Sequence, residues 1–190
     1  MQDVIKLDTI ADYGNFYGLE MIHPQVAVID LTRATRFPTH FTMNYGVYAL
    51  YLKQTRCGDL RYGKQPYDYQ EGTITSFAPG QVVEVHMEEG SRPMAKGLLF
   101  HPDFIRGTEL GRDIRHYSFF SYASNEALHL SDEERTLFEH CLEQLDTELR
   151  RPADRHSRRL ICRNIELLLD YCLRFYDRQF TTRTPVSYTH

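Results

Sequence analysis

Along the chain, short apolar runs with strand character give way to two long stretches of helical periodicity, and that change divides the sequence. From Tyr45 to Val85, runs rich in Tyr, Val, Leu, Thr and Phe are separated by turn residues at Arg56-Cys57-Gly58-Asp59, Gly63-Lys64-Gln65, Glu71-Gly72 and Pro79-Gly80. This is the punctuation of successive hairpins and predicts a compact antiparallel barrel. Upstream, Met1 to Tyr17 has weak periodicity interrupted by Asp12, Gly14 and Asn15, so an arm or short edge strand is expected. Val26-Ala27-Val28-Ile29 reads as a buried strand, broken at Phe37-Pro38-Thr39-His40. Gln81 to Met87 closes the hairpin series, Glu88-Glu89-Gly90-Ser91 turns the chain, and Ala95 to Phe100 is one further strand before His101-Pro102 ends it. Asp103 to Asn125 mixes short helical and extended signals.

The period then changes to that of a helix. Ser131-Asp132-Glu133-Glu134 is a capping box, with Ser131 accepting from the third helical amide and Glu134 reaching back to the amide of Ser131. Leu137, Phe138, Cys141, Leu142, Leu145 and Leu149 recur at helical spacing, and Pro152 stops the run. A second helix is expected from about Asp154 to about Tyr176. Ile161, Ile165, Leu168, Cys172 and Phe175 follow alternating steps of four and three, the seam of a coiled coil, and Leu160, Leu167 and Tyr171 add a second apolar strip. A helix lying on a barrel needs one apolar face. The second face leaves room for another copy of the chain, so a homodimer is expected with Ile161, Ile165, Leu168, Cys172 and Phe175 at its interface. The alternative is that both strips are buried within one monomer.

Composition narrows the function classes. At 190 residues, with 42% hydrophobic and 25% charged positions, the chain is an ordinary globular one with a sizeable core. Four cysteines without CxxC spacing fit a reducing cytoplasm, and no stretch reads as a leader or a membrane span. A net charge of −4 and a pI near 6.1 argue against strong nucleic-acid binding by this polypeptide alone.

Candidate chemistry is sparse. Glu84, His86 and Glu88 alternate on one strand and, with His40, form an imaginable metal set, although an exposed polar face explains the same residues. No HExxH pattern, nucleophile elbow or Gly-rich phosphate loop is present. Arg150, Arg151, Arg155, His156, Arg158, Arg159 and Arg163 crowd the junction of the two helices. They either contact phosphates or pair with the acidic residues of the preceding helix, Glu133, Glu134, Glu139, Glu143, Asp146 and Glu148. Thirteen tyrosines and no tryptophan point to a pocket's chemistry, since Tyr45, Tyr48, Tyr51, Tyr62, Tyr67 and Tyr69 all fall in the barrel segment.

The run APGQV from Ala78 to Val82, LLFHPDFIRGTELG from Leu98 to Gly111, FFSYASNEALHLSDEER from Phe119 to Arg135 and DRHSRRLICRNIELLLDYCLRFYDRQFTTR from Asp154 to Arg183 together resemble the regulatory half of AraC-type transcriptional regulators, in their Bacteroidetes-like branch. The resemblance implies a mainly β fold with α, a cupin-like antiparallel β-barrel followed by a C-terminal pair of antiparallel helices. It divides the chain into an effector-binding barrel with its N-terminal arm (1–125), a helical dimerisation subdomain (126–180) and the start of a linker (181–190). After Phe180 the sequence has no room for a helix-turn-helix unit, so DNA contact is expected only through a C-terminal domain absent from this chain.

Against the metal-dependent cupin pattern, Thr42 stands two residues beyond His40 and Val83 three beyond Gly80, which favours binding of a small-molecule effector over catalysis. No cofactor is expected. In the strand phase that the resemblance implies, His40, Asn44, Tyr48, Leu50 and Leu52 face inward and bind the ligand, with the arm over the opening. The expectation is thus a cytoplasmic, non-enzymatic ligand sensor with no membrane partner. The competing readings are a cupin-type metal enzyme using His40, Glu84, His86 and Glu88, and an oligomerisation module whose barrel is packed solid.

Overall fold

A computed structural model describes residues 4–54, 59–62, 65–67, 72–121 and 127–183, with side chains between 55 and 71 and from 182 onward excepted. Most of the turns expected at Arg56–Asp59, Gly63–Gln65 and Glu71–Gly72, the side chains of Tyr62, Tyr67 and Tyr69, and most of the linker expected over 181–190 therefore fall outside the described residues.

The strands divide into two five-stranded sheets rather than one closed barrel. The first sheet orders β1 (Val4–Leu7), β3 (His40–Tyr45), β8 (Val82–His86), β5 (Asp59–Tyr62) and β6 (Gln65–Tyr67). The second orders β10 (Leu128–His129), β7 (Thr73–Phe77), β4 (Tyr48–Lys53), β9 (Ala95–Phe100) and β2 (Val26–Asp30). Nor is the pairing wholly antiparallel, because β1 runs parallel to β3 with Val4 opposite Thr42 and Leu7 opposite Tyr45.

The N-terminal arm is an integral part of this architecture. After β1 comes a helix the sequence pattern did not announce, α1 (Ile10–Tyr17). Asp12, which reads as an interruption, is what starts it: Thr9 Oγ1 accepts from the Asp12 amide while the Asp12 carboxylate accepts from the Thr9 amide at 3.0 Å. Gly18 ends the helix at φ +65°, where a Cβ would strike the Thr35 hydroxyl. Leu7, Ile10 and Tyr13 are fully buried, so the arm plugs the space between the sheets instead of lying over it.

Two cores result. The inner one lies between the sheets and joins Phe41, Met43, Tyr45 and Val83 of the first to Ala27, Ile29, Ala49, Tyr51, Phe77 and Leu99 of the second, with Leu7, Ile10 and Tyr13 from the arm. The outer one lies on the opposite face of the second sheet, where Val26, Leu50, Leu52, Ile74, Leu98 and Phe100 meet α4 (Asp132–Arg150) and α5 (Ser157–Arg183). The second sheet is thus buried on both faces, which is why β4 and β9 read as continuous apolar runs.

The Ser131–Glu134 capping box forms, with bonds of 3.2 and 2.9 Å, and α4 ends before Pro152. α5 turns back along it, so that Arg178 near its end meets Glu134 in the first turn of α4. Between β9 and α4, the short helices α2 (Pro102–Ile105) and α3 (Glu109–Asp113) carry Phe104, Ile105 and Leu110 into the outer core.

Candidate functional site

Side chains alternate along a strand, and here the odd-numbered positions of β3 and β4 point between the sheets. At one end of that interior Tyr45, Tyr51 and Tyr13 form a chain of hydroxyls. Tyr51 Oη lies 2.9 Å from Tyr45 Oη and donates to Tyr13 Oη at 3.0 Å. Phe77 stacks on Tyr45 at 4.9 Å between ring centroids. Burial pushes all three phenols well above their ordinary pKa, so they stay protonated and act as neutral donors. Aromatic rings fill this end.

The other end is polar. Lys53, at the end of β4, is fully buried on the same face as Tyr51, opposite Thr73 on β7 and Ala95 on β9. Burial alone lowers its ammonium pKa to about 7. Two pairs further along, opposite Tyr51, the Thr75 hydroxyl is buried and has no hydrogen-bond partner among the described residues. An orphaned buried hydroxyl costs about 1–3 kcal/mol and is retained where something else repays it. A lysine, two threonines and a tyrosine edge are the polar groups that this end of the interior presents.

The ligand residues expected from the sequence lie elsewhere. His40 is exposed and Asn44 half-buried on the outer face of the first sheet. Tyr48, Leu50 and Leu52 are on the helix side of the second sheet, where Tyr48 stacks on Phe100 and the two leucines join the outer core. The inward phase is one residue away from the expected one, and a slip of one exchanges the faces. On β3 the sequence does carry the signal, because apolar Phe41, Met43 and Tyr45 alternate with polar His40, Thr42 and Asn44. Lys53, Thr73 and Thr75 were missed because β4 and β7 are buried on both faces and their sequences have no alternation to read.

The imagined metal set is also on the outer face. His86 Nε2 lies 2.8 Å from Glu84 Oε1, the His40 and His86 rings meet edge to face at 5.2 Å, and Glu88 is exposed beyond the strand. Among the described residues no three His, Cys, Asp or Glu side chains converge on a common point.

On the helices, Ile161, Ile165, Leu168, Cys172 and Phe175 are all buried in their own chain, at most 3% exposed, within the outer core. They hold α5 to α4 and to the sheet and are not available to a partner. The second strip is the outward one: Leu160 and Leu167 are 48% and 49% exposed. Leu167 and Tyr171 of α5, with Leu137, His140 and Gln144 of α4, line a shallow groove of about 180 Å³.

The far end of α5 is fastened to the edge of the second sheet. Gln179, 3% exposed, accepts from the His129 amide at 2.7 Å and donates to the Ala127 carbonyl at 3.1 Å, so that one side-chain amide satisfies two main-chain groups beside β10. Arg178 donates to the His129 carbonyl at 2.7 Å and pairs with Glu134. The helix consequently runs to Arg183, beyond the end expected at Tyr176. From β10 the register leads inward, His129 opposite Thr73 and Thr73 opposite Lys53.

No family model matches the sequence, and no curated protein matches it. Among solved structures the fold is similar to the AraC-like transcriptional activator CuxR, at 13% identity and a TM-score of 0.43 over 68% of this chain and 41% of that one. It is also similar to ToxT from Vibrio cholerae, at 9% identity and a TM-score of 0.41 over 87% of this chain and 60% of that one. The chain spans less than two thirds of the length of either protein. Among the described residues no helix is long and apolar enough to cross a membrane.

Proposed function

We propose that this chain is the effector-sensing and dimerisation part of an AraC-type transcriptional regulator. It responds to a small molecule held between the two sheets and passes the response to DNA through a domain outside these residues. The observation that carries the reading is the Gln179 clamp. It binds the last turns of α5 to β10, and β10 is two strands away from the buried Lys53 that faces the interior. A sensor needs such a link, because an effector acts only through a difference in affinity between two placements of the element it moves.

Dimerisation in this reading uses the outward strip, Leu160, Leu167 and Tyr171, since the coiled-coil seam is spent inside the monomer. The ring-filled end of the interior favours a second reading, in which the domain is a pairing scaffold that binds nothing.

Thermal-shift screening against sugars, aromatic acids and fatty acids separates the two. A ligand of the folded state raises the melting temperature in proportion to the logarithm of its concentration. A sensor yields at least one such ligand whose effect is lost in Thr75→Val, a nearly isosteric change that removes the orphaned hydroxyl. A library in which no compound raises the melting temperature leaves the scaffold.

A further inference from the structure

The arginine run at the helix junction has a neutral explanation from sequence, namely that the acidic helix before it supplies the partners. The structure grants this only for the first two residues. Arg150 pairs with Asp146 at 2.9 Å and Arg151 with Glu148 at 3.6 Å. Arg155, Arg158 and Arg159 lie on the first turns of α5 and the approach to it, and among the described residues no carboxylate is within ion-pair distance of any of them. They line one groove of about 500 Å³ between α5 and the start of α3.

The groove is partly pre-organised. Arg158 donates three hydrogen bonds, two to the Phe104 carbonyl at 3.1 and 2.9 Å and one to the Arg106 carbonyl at 2.8 Å, and its guanidinium lies over the Phe104 ring. Those acceptors are neutral, so the charge is fixed in position without being cancelled. Arg163 is different, held between Glu109 of α3 at 3.0 Å and Glu166 of α5 itself at 3.3 Å, and both glutamates also line the groove. Arg155 lies in the turn just before α5 and Arg159 in its first turn, and both line the groove, with Arg155 Nε donating to the His156 ring at 3.2 Å.

We propose that this groove is an anion site for a small molecule carrying two linked phosphate groups. Three guanidinium groups without a carboxylate partner match the roughly three negative charges of a diphosphate near neutral pH; Arg155 and Arg159 offer the forked donors that phosphate oxygens accept, and Arg158 adds its charge and the Nη1 hydrogens that its carbonyl bonds leave over. The volume suits a ligand up to nucleotide size. A nucleic-acid backbone fits less well, because an extended polyanion running past the arginines meets the Glu109 and Glu166 carboxylates that line the same groove. The site stands apart from the interior between the sheets and holds whether or not that interior binds an effector.

Titration calorimetry of the whole chain at about 0.15 M salt tests this, with inorganic pyrophosphate, a nucleoside diphosphate and a short DNA duplex as separate arms. The double variant Arg155→Gln/Arg159→Gln removes two exposed donors without touching the Arg158 tether. Arg150→Gln/Arg151→Gln removes the same charge from outside the groove. The expected result is saturable binding of pyrophosphate or the nucleotide, weakened about tenfold or more in the first variant and by less than about twofold in the second. The proposal is overturned if neither small anion saturates at millimolar concentration, if the two variants weaken binding equally, or if the duplex binds where the small anions do not. Circular dichroism of both variants, matching the parent, ensures that any loss is local.

Discussion

Lys53 and the hydroxyls around it set the electrostatics of the interior. In the folded chain the ammonium pKa is about 7, against 10.5 for an ordinary lysine, because burial removes the water that stabilises the charge. Below about pH 7 both folded and unfolded chains hold the proton, and the folded state bears the full desolvation cost. Between about pH 7 and 10.5 the unfolded chain keeps a proton that the folded one has released, so stability rises with pH by up to about 1.4 kcal/mol per unit. Above that window the cost is gone. Lys53→Met, which keeps the length of the side chain and removes the titrating group, lacks this rise, so its stability relative to the parent falls from pH 7 toward pH 10. Urea denaturation midpoints measured from pH 6 to pH 10 check this, and a gap that does not change with pH refutes it. Nothing in the apolar run Tyr48–Lys53 marks this lysine as buried, since a terminal lysine ordinarily snorkels out of a strand.

At the scale of elements, what the sequence made legible follows from where periodicity exists. β9 was readable to the residue, from Ala95 to Phe100, because turn signals bound it on both sides. The start of α4 was readable from four residues, because a capping box is a local device. The phase of β4 was not readable, since both of its faces are buried and both are apolar. α1 carries the same local device in Thr9-Ile10-Ala11-Asp12, but Gly14 and Asn15 break the helical pattern that would follow it. The end of α5 depends on Gln179, whose partners lie near β10, some fifty residues earlier. Long-range hydrogen bonds leave no local pattern. Gln179→Leu preserves bulk and leaves the His129 amide and Ala127 carbonyl unsatisfied, a loss of about 2–4 kcal/mol. Hydrogen exchange should show faster exchange at β10 and in the last turns of α5 but not at the buried middle of α5 around Ile165 and Leu168. Uniform loss of protection along the helix would mean that Gln179 stabilises the whole domain and is no local fastening.

For the whole molecule, three layers leave two surfaces of different character. The first sheet turns His40, Thr42, Asn44, Glu84 and His86 outward, a mostly polar set. The helical layer turns out Leu160 and Leu167, two half-exposed leucines seven residues apart on one stripe. If that stripe is where two copies meet, Leu160→Glu/Leu167→Glu gives a monomer with unchanged circular dichroism, read by light scattering after size exclusion at tens of micromolar. A parent chain that already elutes as a monomer removes the dimer. The two surfaces lie on opposite sides of the molecule, so such pairing leaves the polar sheet free.

Glu134 serves two masters. Its carboxylate holds the first amide at the head of α4 and also takes the guanidinium of Arg178, forty-four positions later, near the tail of α5. The two ends of the helical layer therefore share one carboxylate, and loosening either changes what the other can hold. Whatever is joined beyond Arg183 hangs from a helix end whose latch is shared with the head of another.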